Sequence, residues 1–121
     1  MSLSIVDDEP DITAVFCRAL TRSNFRVTAF NSSSEALVDF KEGSYDLAIM
    51  DFKMPTINGF ELYEKMHLID KRMKVLFISG DHAHYREKML SHPELETSHF
   101  MDKPASLDTL VKRIREILLQ K

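Results

Sequence analysis

With 121 residues, 44% of them hydrophobic and 29% charged, the chain has the size and make-up of one globular domain around one core. Sixteen basic residues against nineteen acidic ones leave a net charge of -3, which speaks against a surface built to hold nucleic acid directly. No apolar run is long enough to cross a bilayer and no secretory leader opens the chain. The single cysteine, Cys17, has no partner for an internal disulfide, so the reading is a cytoplasmic protein without a membrane partner.

Residues 3–6 read as a short buried strand that runs into "DDEP". From Pro10 onward Ile12, Val15, Phe16, Ala19 and Leu20 recur at helical spacing and predict a helix with one apolar stripe. Residues 25–30 alternate and are rich in aromatic and β-branched types, which predicts a strand. Ser32 with Glu35 three residues later is a capping-box pattern, opening a helix that carries Ala36, Leu37 and Phe40 until Gly43 stops it. The unbroken apolar run 47–50 suits a central parallel strand covered on both faces. A loop with Pro55 and Gly59 leads to a helix bearing Leu62, Tyr63, Met66 and Ile69. Residues 75–78 form another buried strand, 83–90 a helix with few apolar positions, and 98–101 a short strand. Ser106 then caps a last helix with Leu107, Leu110, Val111, Ile114, Ile117 and Leu118 on one face.

Five strands alternating with five helices call for right-handed crossovers and a parallel sheet with helices on both sides, in one domain spanning residues 1–121. In such a sheet, ligands sit at the carboxyl ends of the strands where the strand order reverses. With the order 2-1-3-4-5, Asp7 and Asp8 at the end of the first strand meet Asp51 at the end of the third. Three carboxylates at one spot repel each other, and a hard divalent cation with oxygen ligands, Mg²⁺, relieves that. Ser79 ends the fourth strand and Lys103 follows the fifth. A carboxylate nucleophile, a cation, a hydroxyl and an ammonium together suit phosphoryl transfer to Asp51.

These residues also carry a family likeness. "IVDDEP" looks like the acidic pair, "LAIMDFKMPTINGFEL" like the phosphoacceptor segment, "VLFISG" like the strand ending in Ser or Thr, and "HFMDKP" like the Lys-Pro segment. Together they make the chain closely resemble the receiver domain of two-component response regulators, the chemotaxis-regulator type included, with its flavodoxin-like fold. The resemblance implies that Asp51 is the residue phosphorylated by a histidine kinase, a phosphotransfer protein or a small phosphodonor. Asp8, Asp51 and the backbone carbonyl of Lys53 would hold Mg²⁺, with Asp7 acting largely through water. Ser79 and Phe100 would be the switch pair, and Pro104 would follow a cis peptide bond. Phe100 stands where Tyr is common, so the switch is expected to be steric: phospho-Asp51 draws Ser79 inward and Phe100 turns into the space left.

The reading is therefore a phosphorelay switch and not an enzyme acting on an external substrate; only self-phosphorylation and autodephosphorylation are expected. Phosphorylation would shift the surface of the fourth helix, fifth strand and fifth helix to control an unidentified partner or output domain, with a homodimer formed on phosphorylation as one form of output. Lys53 and Asp81 would border the mouth of the site and modulate the lifetime of the phosphoryl group as a loose ion-paired lid. Two alternatives stand beside this. An aspartyl-phosphate phosphohydrolase needs a second acid two residues after the nucleophile, where this chain has Lys53. A phosphorylation-independent binding module would have no use for the full set of site residues. His82, His84, His92 and His99 share no helix face, and are read as solvated loop residues in preference to metal ligands. Lys112, Arg113 and Arg115 read as a solvated helix face.

Overall fold

Each of the apolar runs becomes a strand because its side chains find cover on both faces of one sheet. The computed structural model describes residues 1–80, 85–103 and 106–120. Its strands are β1 (Ser2–Val6), β2 (Arg26–Phe30), β3 (Leu47–Asp51), β4 (Lys74–Ser79) and β5 (Phe100–Asp102). They pair in parallel in the order β2-β1-β3-β4-β5. Between them lie α1 (Pro10–Arg22), α2 (Ser33–Val38), α3 (Gly59–Ile69), α4 (Tyr85–Ser91) and, last, α5 (Leu107–Leu118).

The period-2 alternation of β3 divides the core. Leu47 and Ile49 pack with Leu20 of α1 and with Leu110, Ile114 and Ile117 of α5. Ala48 and Met50 face the other way, onto Ala36 of α2 and onto Phe60, Leu62, Tyr63 and Met66 of α3. Every residue of β3 is buried, as a strand covered twice must be. Met50, Met66, Met73 and Met101 are buried here, fillers of an irregular core. None of the described helices is long and apolar enough to cross a membrane.

Several boundaries differ from the sequence reading. Val15 is 50% exposed and Thr13 is buried in its place, so α1 is rotated relative to the stripe read from spacing. The half-buried Cys17 packs beside that core, its thiol pushed up by burial. The helix expected to carry Phe40 ends at Val38; Phe40 is still buried, stacked on Tyr45 at 6.4 Å. Ser32 caps α2 by accepting from the Glu35 N–H at 3.4 Å. Ile69 is 44% exposed at the end of α3. The start of α3 has a full capping box that the sequence reading passed over: Asn58 Oδ1 accepts from Glu61 N–H (2.8 Å), and Glu61 Oε1 from Asn58 N–H (3.3 Å). β5 begins at Phe100 because Thr97–His99 form a 3-10 turn, with buried His99 Nδ1 accepting the Glu96 N–H at 2.9 Å. That burial pushes the imidazole below its ordinary value. His92 is held at the end of α4 between Glu64 and Glu94, at 3.3 and 3.1 Å, not solvated as a lone loop residue. His82, His84 and Ala83, the expected start of the fourth helix, lie outside the described residues.

Candidate functional site

Parallel pairing of β1 with β3 matches Val6 to Met50, which brings the two acidic strand ends side by side. Asp7 and Asp51 are buried, and Asp8 is exposed at the rim. One carboxylate oxygen from each of the three lies within 4.8 Å of the others, the one such group among the described residues suited to a metal ion. Around Mg²⁺, with ligand oxygens at about 2.1 Å, neighbouring oxygens stand about 3 Å apart and opposite ones about 4 Å. Three hard oxygens at this spacing fit Mg²⁺ after a small side-chain adjustment, and no thiolate or imidazole is in the set to favour zinc.

Lys103 closes the site from the β5 side. Its backbone N–H donates to the Ser79 carbonyl at 2.9 Å, continuing the β4–β5 ladder by one residue. The Nζ then lies 3.4 Å from Asp7 Oδ2 and 3.3 Å from Asp51 Oδ2. Burial works against the Lys103 charge, but the two carboxylates outweigh it and hold the ammonium above its ordinary value. The Asp51 carboxyl is raised, first by burial and then by the charge of Asp7; Lys103 and the Lys53 N–H, 3.3 Å from Oδ1, only partly offset this. Asp51 is thus a partly desolvated carboxylate with a cation already at hand, which favours nucleophilic use over idle solvation.

The structure places the other expected residues as follows. Ser79 is 2% exposed at the end of β4, neighbouring β3, and pairs in register with Asp102. The exposed Lys53 lies two residues beyond Asp51 in the loop to α3. Asp81 and Pro104, and with them the lid and the cis bond, fall outside the described residues. The Phe100 ring lies inside, 5% exposed and stacked on Phe77 at 5.3 Å and 21°.

Two supports were missed by the sequence reading. Asn31, just past β2, donates from Nδ2 to the Asp7 carbonyl (2.9 Å) and to Thr13 Oγ1 (3.0 Å), and Thr13 donates to the Pro10 carbonyl (2.9 Å). The Glu9 N–H meanwhile donates to Asp7 Oδ1 at 3.0 Å, so the acidic turn is fixed from both sides. The signal was available: β1–β2 pairing puts Val6 opposite Phe30, hence Asn31 beside Asp7. The second is Gly59, whose N–H donates to the Phe52 carbonyl at 3.0 Å. A Cβ there would overlap the Asp51 carbonyl oxygen and stand 3.0 Å from the Asp51 carbonyl carbon.

Comparison with known proteins bears on the chain's family and fold. The family model "Response regulator receiver domain" matches residues 3–115. The response regulator receiver protein CpdR of Brucella abortus is 26% identical over 118 residues, which span 95% of this chain and 94% of that protein. The transcriptional regulatory protein CusR of Escherichia coli is 28% identical over 119 residues, 98% of this chain but 51% of CusR. The chain therefore spans nearly all of CpdR and about half of the transcriptional regulator. In fold, it superposes on the non-phosphorylated HemR receiver domain of Leptospira biflexa with a TM-score of 0.86 at 23% identity, covering 99% of this chain and 95% of that one. A match running from residue 3 to residue 115 leaves only the chain ends outside it, and the chain belongs to the response regulator receiver domain family.

Proposed function

We propose that residues 1–121 act as one phosphoacceptor switch of a two-component phosphorelay, with Asp51 as the acceptor. A single observation carries this: buried Asp51 shares its strand-end site with Asp7 and Asp8 within 4.8 Å and with the Lys103 ammonium at 3.3 Å. A carboxylate oxygen of Asp51 attacks the phosphorus of a kinase's or phosphotransfer protein's phosphohistidine. The O–P bond forms as the P–N bond breaks, and the departing imidazole takes up a proton from water. Lys103 is positioned to meet an oxygen of the transferred group, and Ser79 to hydrogen-bond another. Asp8, Asp51 and the Lys53 carbonyl would hold Mg²⁺, with Asp7 through water; when bound, the ion supplies positive charge to the phosphoryl oxygens. Lys53 stands two residues after Asp51, where a phosphohydrolase of this kind normally carries a second carboxylic acid, and this favours the switch over that alternative. Output through a partner or an attached domain, and a cytoplasmic setting, belong to the same reading.

Incubation with acetyl phosphate and Mg²⁺ will add one phosphoryl group, and peptide mapping will place it on Asp51. A label elsewhere, or none on the folded protein, would overturn the assignment. Mg²⁺ alone will raise the thermal midpoint, because it binds only the assembled acids. At tenfold excess over Kd the gain is about 1.4 kcal/mol, a rise of about 3–6 °C for a chain of this size. The rise will be lost in Asp8→Ala, and its persistence there would remove Asp8 from the metal site.

A further inference from the structure

The loop from Asp51 to α3 carries a strained residue. Thr56 has a φ of +68°, a left-handed value that a β-branched side chain rarely adopts. The Ile57 N–H donates to the Pro55 carbonyl at 2.8 Å, so Thr56 centres a three-residue turn. Its positive φ marks the rarer, strained hand of that turn. Such a conformation persists only where the surroundings over-determine it. Ser33, the first residue of α2 and 4% exposed, supplies that restraint. Its hydroxyl donates to the Ile57 carbonyl at 2.6 Å and lies 3.7 Å from Met54 Sδ, touching the loop on both sides of the turn. The helix itself does not need this hydroxyl, because Ser32 already caps α2. At the base of the loop the Gly59 N–H meets the Phe52 carbonyl at 3.0 Å. Lys53 stands between base and turn, its N–H 3.3 Å from Asp51 Oδ1. The cleft beside the Ser33 contact, about 110 Å³, is lined by Asp8 as well as by Met54 and Thr56, so the contact runs along the metal rim.

We propose that Ser33 is a positioning residue for the metal site: it holds the Thr56 turn and thereby fixes the segment from which Lys53 would offer its carbonyl to Mg²⁺. Without the hydroxyl, the Ile57 carbonyl loses its partner and Thr56 is free to return to a negative φ, which re-routes residues 53–55. Asp8 and Asp51 stay in place, so the cost falls on Mg²⁺ affinity and does not abolish binding. The inference rests on the phosphoacceptor reading, and the test separates the two.

The experiment titrates the whole chain with Mg²⁺, reads the dissociation constant from the backbone amide shifts of residues 7–8 and 51–54, and records the thermal midpoint beside it. Ser33→Ala will raise the Mg²⁺ dissociation constant at least about threefold, short of the ~10–100-fold lost with a group that directly supports a metal ligand. Glycine takes a φ of +68° without strain, so adding Thr56→Gly to Ser33→Ala will recover most of that affinity. An affinity loss of the same size in both backgrounds would mean that Ser33 does not act through the turn, and overturns the proposal. A role in stability alone would lower the thermal midpoint of Ser33→Ala and leave its Mg²⁺ dissociation constant unchanged, which overturns it too. If Ser33→Ala does not fold, Ser33→Cys takes its place, with a side chain of similar size and a weaker donor. Weakened binding that Thr56→Gly recovers supports the proposal there, and unchanged binding overturns it. Phosphoryl labelling of Asp51 in the unsubstituted chain tests the phosphoacceptor reading independently of these constants. A chain that takes no label and binds no Mg²⁺ brings down that reading, and this inference with it.

Discussion

Asp51→Asn is expected to abolish phosphoryl incorporation from acetyl phosphate while leaving the fold intact and, near neutral pH, raising the thermal midpoint. The substitution keeps the shape and removes both the nucleophile and a charge. In the folded chain, burial and the neighbouring Asp7 raise the Asp51 carboxyl above its ordinary value. A carboxyl raised on folding binds more protons in the native state than in the unfolded one between the two pKa values. Its ionisation therefore costs stability as pH rises through that window, and the full cost is present above the folded-state value. Asn never ionises and escapes it. Melting curves of both proteins from acid to neutral pH will accordingly converge at the acid end and separate toward neutrality, with the Asn variant higher. Equal labelling of the variant would remove Asp51 as acceptor; a lower neutral-pH midpoint would mean that its ion pair with Lys103 outweighs desolvation and the Asp7 repulsion.

Gly59→Ala is expected to have the largest effect on stability of any single-methyl change near the site. The added carbon would run into the Asp51 carbonyl oxygen, with Phe52 Cα at 3.2 Å on the same side. The obstacles are backbone atoms, so no rotamer change relieves them, and either α3 or the end of β3 must move. Overpacking of this kind costs about 1–3 kcal/mol or somewhat more, a fall in midpoint on the order of 10 °C for a chain of this length. Because the displaced strand end carries Asp51, the phosphorylation rate will fall as well. A variant melting within a degree or two of the parent would show that α3 can ride outward freely, and that the close approach is not needed.

What the sequence reading caught and what it missed divides along physical lines. The strands and their ends were legible because a buried strand shows as an apolar run, and because topology alone brings strand ends 1, 3, 4 and 5 to one edge. Hence Asp7, Asp8, Asp51, Ser79 and Lys103 could be placed together before any geometry. The rotation of α1 was not legible, since Val15 and Thr13 both fit a helical period and only contact with the sheet chooses between them. A small polar residue such as Thr13 is preferred there because Asn31 reaches its hydroxyl. Arg113, read as part of a solvated helix face, instead donates from Nη1 to the carbonyls of Ser98 and Phe100 at 3.0 and 2.9 Å, which only the packing of α5 beside β5 brings within reach. The inward ring of Phe100 depends on how Phe77 fills the space between α3 and β5, which no local pattern encodes.

The seated Phe100 ring sets a limit on amplification. On the reading in which the inward ring is the partner-binding form, the dynamic range of the device is fixed by how often the ring occupies that seat without a phosphoryl group. If a fraction f of unmodified molecules already has it seated, complete phosphorylation can raise output by no more than 1/f. A seat filled half the time caps the gain at about twofold, and one filled a tenth of the time at about tenfold. Phe100, 5% exposed and stacked on Phe77 at 5.3 Å, is the ring whose seating that fraction counts.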